Sequence, residues 1–241
     1  MTMLAATISA TGAVLSQDSW IVQASAEYQR HAEQAGGVTR DPADTGGAYG
    51  HATDPNAVNI VGHGLKIIPV PRFGLAIATT GPLRLALFWG LELMNPAVTS
   101  LEQLRRDGAR RFAEIRDQQA PGEEAAIVHA GFDPARGTGF GFVSSTDGTC
   151  QDIAVGETIG LAPDLEDPGH GRIAQLWSAA ARGWQIEELH RALFEQQRRA
   201  FLAGKLGPGV AIGGQLHHVE VTRAGIMIAT APRVAMEQEA A

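Results

Sequence analysis

The sequence predicts an α+β domain, a four-layer αββα sandwich in which two antiparallel sheets pack together with a helix pair on each outer side. Three observations carry this expectation. Short apolar runs come in pairs joined by turn signals, at Thr11-Gly12 and between Pro134 and Gly139, as antiparallel hairpins require. The runs of strands are separated by pairs of helical segments, which suits an α+β domain with antiparallel sheets. Packing the two sheets together with the helices outside them buries every apolar face. No internal boundary leaves two self-sufficient halves, so the 241 residues read as one domain.

The elements follow in order. Thr2 to Ser9 and Ala13 to Trp20 read as two short strands joined at Thr11-Gly12. From Glu27 to Gly62 the chain turns rich in Gly, Asp, Thr and Pro and loses periodicity. This predicts a long inserted surface loop, with a helical turn near Ala24 to Glu33 as one option. Strands resume at Leu65 to Pro71 and at Phe73 to Thr80. "PLRLALFWGLELMN" is apolar nearly all round, which predicts a buried helix with Pro82 in its first turn. Ser100 precedes "LEQLRRDGARRFAEIRDQQ", a more amphipathic helix with Glu102 in its first turn. "AAIVHAGFD" and "GFGFVSST" form the second hairpin, and a further strand is expected within Asp152 to Leu161. "HGRIAQLWSAAARG" and "WQIEELHRALFEQQRRAFLAG" read as two helices. In the second, Ile186, Leu189, Leu193, Gln197 and Phe201 share a face. "VAIGGQLHHVEVTRAGIMIAT" closes with two strands.

Composition narrows the function classes. A net charge of -7 argues against nucleic acid or an anionic membrane as partner. The single cysteine, Cys150, forms no intrachain disulfide and favours a reducing, cytoplasmic compartment. No run of 18 apolar residues predicts a membrane helix. The opening stretch lacks the positive n-region of a secretory signal, since the first Lys or Arg is Arg30.

The chemistry begins at Thr2. Met1 precedes a small residue, and its removal would give Thr2 a free α-amine beside its own hydroxyl. That pair is a nucleophile with a built-in base, because the amine takes the proton as Oγ attacks a carbonyl. An α-amine titrates at about 7.7–8.0, close to working pH. A threonine at the second position is also common and most such residues are inert. By themselves, Asp18 also reads as a strand-end turn residue and Lys66 as an edge-strand lysine.

Several segments in order resemble the proteasome-type N-terminal-nucleophile (threonine) hydrolases. "TMLAATISATGAVLSQDS" resembles the family's opening, with Asp18 lying 16 positions after Thr2. "LKIIPVPRFGLAIATTG" is similar to its Lys-Ile strand and the glycine turn before the first helix, and "IGGQLHHVEVTRAGI" to its closing hairpin. The resemblance implies a threonine-type peptidase or amidohydrolase cleaving peptide or other amide bonds, with Thr2 as nucleophile and its amine as base. It implies that Lys66 sits by the amine and disfavours its protonation. Asp18 would pair with Lys66 from a neighbouring strand of the same sheet, in one buried ion pair. The backbone N–H groups around Thr80 and Gly81 would form the oxyanion hole. It implies no cofactor or metal, and a homo-oligomer, with stacked rings as one form. The segment from Glu27 to Gly62 separates two residues that must meet, so it must leave and return near the site, as a lid or subunit contact. The family's amine-holding serine has no counterpart in "GLAPDLEDPGHGR". Asp164, Asp167 and His170 are the polar groups there, with Ser144 and Ser145 upstream. A second reading, of another class, is a catalytically inactive proteasome-like subunit serving as a structural or binding component of an assembly. A third is an amidase acting on small molecules.

Other candidates are weaker. Gly139-Phe140-Gly141 lies in a hairpin and is no nucleotide fingerprint. His217 and His218 alternate faces and do not converge on one metal. His51 and His63 sit in or beside the long loop. Cys150 reads as a structural or surface thiol.

Overall fold

The computed structural model describes residues 3–23, 48–49, 58–163, 173–180, 186–203, 205 and 212–230. Its first strands are β1 (Leu4–Ser9), β2 (Gly12–Asp18), β3 (Trp20–Gln23), β4 (Ala48–Tyr49), β5 (Val58–His63), β6 (Ile68–Val70) and β7 (Leu75–Thr80). Helices α1 (Leu83–Met94) and α2 (Leu101–Gln119) follow. Next come β8 (Ala126–Asp133), β9 (Thr138–Ser145), β10 (Cys150–Ile153), β11 (Glu157–Pro163) and β12 (Ile173–Ala180). Helix α3 (Ile186–Leu202) precedes β13 (Leu216–Thr222) and β14 (Gly225–Thr230). The fold is α+β, with two packed antiparallel sheets. One sheet runs β12-β11-β1-β2-β13-β14 and the other β10-β9-β8-β7-β6, and a small third sheet runs β3-β5-β4.

The two large sheets meet through an apolar layer. Leu4, Ala6 and Ile8 of β1, Leu15 of β2, and Val219 and Val221 of β13 face Ala76, Ala78, Val128, Ala130 and Val143 across the gap. Their alternation along each strand is what the pleat demands. The opposite face of β1 is also buried, through Ala5 and Thr7, so this strand reads as a near-continuous apolar run rather than a clean alternation. Glycine is required where the sheets close at the first hairpin. A Cβ at Gly139 would lie 2.2 Å from Gly12 O, and one at Gly12 would lie 2.1 Å from Val221 O. The expected hairpin forms with its turn one residue earlier, at Ala10-Thr11, and Gly12 opens β2 opposite Ser9.

Helices α1 and α2 cover the five-stranded sheet. Ser100 caps α2, its Oγ accepting from Gln103 N at 3.1 Å. Leu104, Gly108, Ala109 and Phe112 of α2 turn inward. Helix α1 buries Leu85, Ala86, Trp89, Gly90 and Leu93. It is not buried all round as its composition predicts. Leu87, Phe88, Leu91 and Met94 are exposed, because only one side of the helix meets the sheet and α2. At the centre, Trp89 Nε1 donates to His129 Nε2 at 2.7 Å, and His129 stacks on Phe142 at 4.4 Å.

Three sequence expectations need correction. "HGRIAQLWSAAARG" is not a helix over its described part. Ile173–Ala180 is a strand that pairs antiparallel with β11, leaving α3 as the helix packed on that sheet among the described residues. Its apolar residues at 173, 176 and 177 fit helical spacing over too short a window to decide, and pairing with β11 overrides the local preference. The expected loop from 27 to 62 contains strands, Ala48–Tyr49 and Val58–His63, the latter paired with β3. The proposed helical turn near 24–33 lies outside the described residues. The strand expected over Leu65 to Pro71 is confined to Ile68–Val70, so Lys66 precedes it.

His129 gives the fold an acid limit. Burial pulls its pKa down from 6.5 to about 3, so the folded state holds it neutral with Nε2 free to accept from Trp89. The unfolded chain binds a proton below about 6.5 and the folded one does not. Stability is therefore present above that pH and lost as pH falls toward 3, by about 1.4 kcal/mol per unit. His129→Gln keeps an acceptor for Trp89 and removes the titration. In urea unfolding, the variant should lose about 2 kcal/mol less than the parent between pH 7 and pH 5.

Candidate active site

The sequence "SQDS" at the end of β2 places four polar residues in succession, and all four are buried. Each reaches a different part of the molecule. Ser16 Oγ lies 2.5 Å from His190 Nδ1 on α3 and 2.6 Å from His218 Nδ1 on β13. Gln17 Nε2 donates to Thr79 O on β7 at 2.6 Å. Asp18 Oδ1 accepts from Met3 N at 3.1 Å, and its Oδ2 lies 3.1 Å from Lys66 Nζ. Ser19 Oγ accepts from Gln215 N at 2.8 Å.

Asp18 and Lys66 thus form one buried ion pair, with side-chain exposures of 0% and 6%. The expectation that they come from neighbouring strands of one sheet does not hold. Asp18 ends β2 in the six-stranded sheet, whereas Lys66 lies on the approach to β6 at the edge of the five-stranded sheet. Of the 47 residues between them, the first and last described stretches pair in the small third sheet. Strand β3 leaves directly after Ser19 and β5 returns antiparallel to it, with Trp20 opposite His63. Gly64 N then donates to Ser19 O at 2.9 Å, which sets Lys66 down beside Asp18. Burial pushes the Asp18 carboxyl up and the Lys66 ammonium down, and the opposite charge alongside draws each back.

Thr80 and Gly81 close β7. Gly81 turns the chain toward α1 with a φ of 115°, a left-handed conformation that favours glycine. A Cβ there would also lie 2.8 Å from Ala125 Cβ. Thr80 is fully buried and its Oγ1 has no hydrogen-bond partner among the described residues. The Gln17 to Thr79 bond brings this turn to the end of the sheet gap where Asp18 sits. Asp18 and Lys66 are therefore in contact, and Thr80 and Gly81 lie just beyond the residue that Gln17 grips. Thr2 lies outside the described residues, as do Asp164, Asp167, His170 and His51. Its chain neighbour Met3 is the residue whose N–H Asp18 holds.

A second polar constellation is centred on Ser16, on the side of the six-stranded sheet that α3 covers. Thr7 Oγ1 is 2.8 Å from His190 Nε2 and 2.6 Å from Thr158 Oγ1. Ser16 has one hydroxyl hydrogen, so with both rings neutral it donates to one histidine and accepts from the other. His190 is held down to about 3, first by burial and then by His218. Sequence reading missed Ser16, Gln17 and His190. The signal was the unbroken polar run 16–19 in a segment otherwise patterned as core.

Elsewhere the chemistry is spent on structure. A surface cleft of about 1060 Å³ contains Arg72, Arg105, Arg106 and Arg136, yet all four are engaged, Arg106 with Asp107. Arg105 pairs with Asp152 and Arg136 with Asp133, while Arg72 donates to the carbonyls of Asn95 and Val98. Cys150 is exposed, and desolvation raises its thiol above the ordinary value. Among the described residues no group of three or more His, Cys, Asp or Glu is placed to hold a metal ion. No helix among them is long and apolar enough to cross a membrane. No known family model matches the chain, and no curated protein matches it.

The ion pair sets a stability expectation. Lys66→Ala strands a buried carboxylate and should cost about 3–5 kcal/mol in urea unfolding. The double variant Asp18→Leu with Lys66→Met removes both charges, and should lose much less than the two single losses added together.

Proposed function

We propose that the chain is an N-terminal threonine hydrolase of proteasome type, in the four-layer αββα arrangement of N-terminal-nucleophile hydrolases, acting on peptide or other amide bonds. The observation that carries this reading is the buried Asp18–Lys66 pair, whose carboxylate also holds the N–H of Met3, the residue after Thr2. A charged pair so placed is chemically useful only if something at the start of β1 responds to it. A free amine on Thr2 would. A cation beside it disfavours its protonation and keeps it ready to accept a proton.

In the proposed reaction Met1 is first removed. Thr2 Oγ then attacks the amide carbon while the α-amine takes the hydroxyl proton. The oxyanion that forms is met by backbone N–H groups at Thr80 and Gly81, which the glycine turn holds rigidly. As the C–N bond breaks, the Thr2 ammonium gives its proton to the leaving nitrogen, and an ester remains on Oγ. Water, activated by the same amine, hydrolyses that ester and restores Thr2. Lys66 exchanges no proton in this scheme and acts by its charge, which Asp18 sustains. The substrate, a cytoplasmic location and assembly as a homo-oligomer, in rings or otherwise, belong to the same proposal.

Protein isolated from its own host should have an intact mass short by one methionine. An epoxyketone or a β-lactone should then label Thr2, and Lys66→Met should abolish both labelling and turnover of peptide amides. Retained Met1 with no labelling would sink the catalytic reading and favour the inactive subunit of an assembly, for which the absence of serine in "GLAPDLEDPGHGR" is the supporting observation.

A further inference from the structure

The apolar layer between the sheets ends in polar groups at one edge. On β2, Ala13 and Leu15 face that layer, and the pleat places Gln17 on the same side. On β7, Ala76 and Ala78 face it, and Thr80 continues their row. Gln17 is 1% exposed, and its carboxamide uses one side only. Nε2 donates to Thr79 O at 2.6 Å, while Oε1 has no hydrogen-bond partner among the described residues, like Thr80 Oγ1. A buried amide with an unsatisfied oxygen is costly where a leucine would fill the same space. Its one strong bond crosses from the sheet that bears Asp18 to the turn that bears Gly81.

We infer that Gln17 is a positioning residue that clamps the Thr79–Gly81 turn to the end of β2 and so fixes the spacing between the two halves of the site. Its neighbours on the chain share the work. Ser16 ties the same strand end to α3 and β13, and Asp18 ties it to β1 and Lys66. Through Gln17 the five-stranded sheet joins this anchor. The β7–β8 pairing holds the turn within its own sheet, and the Gln17 bond adds a directional contact that sets its distance from β2. Oxyanion donors need to be fixed within a fraction of an ångström of the developing charge, and small misplacements are felt as lost rate rather than lost binding.

The kinetic consequence rests on the hydrolase reading above, whereas the clamp itself does not. Gln17→Leu and Gln17→Met, both close in volume, remove the donor and also the unsatisfied oxygen. In full-length protein, amide exchange at 79–81 should quicken at least about 10-fold in both variants, while the β8–β9 amides stay as protected as in the parent. If the parent hydrolyses amides, kcat should fall roughly 10- to 100-fold with KM nearly unchanged. Unchanged exchange at 79–81 would overturn the assignment whatever the activity. Exchange that quickens equally throughout both sheets, or failure of both variants to fold, would overturn it too, by making Gln17 a general packing residue. A parent without hydrolase activity but with the expected local exchange would keep the clamp and remove the threonine hydrolase instead.

Discussion

The end of β2 is the constraint on which the rest of this molecule depends. Four consecutive buried polar side chains need partners from several parts of the chain, and the fold delivers six. Helix α3 and β13 bring His190 and His218 to Ser16, and β7 brings a carbonyl to Gln17. Asp18 receives Met3 N and Lys66, and Ser19 receives Gln215 N. Because these partners come from both sheets and from a helix, the relative positions of the layers are fixed at this edge by directional bonds. Along the rest of the interface they are set by alanine, valine and leucine, which pack well but discriminate register weakly.

The small third sheet makes sense in the same terms. Lys66 is remote from Asp18 in sequence and belongs to the approach to the other sheet. A structureless connection would bring it back only at an entropic cost that rises with length. Pairing β5 antiparallel to β3 converts much of that problem into local geometry. The returning strand is registered on the departing one, and the bond from Gly64 N to Ser19 O ends the ribbon beside the β2 terminus. The composition of the segment, rich in Gly and Asp-Pro, hid these strands from sequence reading, since pairing rather than propensity defines them.

Other features were legible for physical reasons that can be named. The first hairpin, the Ser100 cap and the Pro134 to Gly139 hairpin are local, and each side chain or glycine carries its own instruction. The meeting of Asp18 with Lys66 was legible through the family resemblance, although their placement on two sheets was not. The strand at Ile173–Ala180 and the bare face of α1 depend on what lies opposite, β11 in one case and solvent in the other. Sequence periodicity contains neither. Gln17 was overlooked because a glutamine within a polar run announces no particular role until its partner, a carbonyl on the other sheet, is known.

A buried ion pair is weak grounds for stability, because desolvation cancels much of the attraction and an apolar pair would fill the space as well. The same holds for the half-satisfied carboxamide of Gln17. Two neighbouring positions at the end of one strand therefore carry groups that packing alone does not favour, Gln17 reaching Thr79 O on the other sheet and Asp18 reaching Met3 N and Lys66. The histidines beneath α3 differ in kind. His190 lies in a chain of hydroxyls that satisfies both of its ring nitrogens, and its neutrality follows from burial. His218, on the other side of Ser16, leaves its Nε2 buried without a hydrogen-bond partner among the described residues. The Asp18, Lys66 and Gln17 group reaches instead the backbone next to Thr2 and the end of β7 that leads to Gly81. What separates the two groups is their partners, side chains of α3 and β13 for Ser16, and the start of β1 and the end of β7 for Asp18 and Gln17.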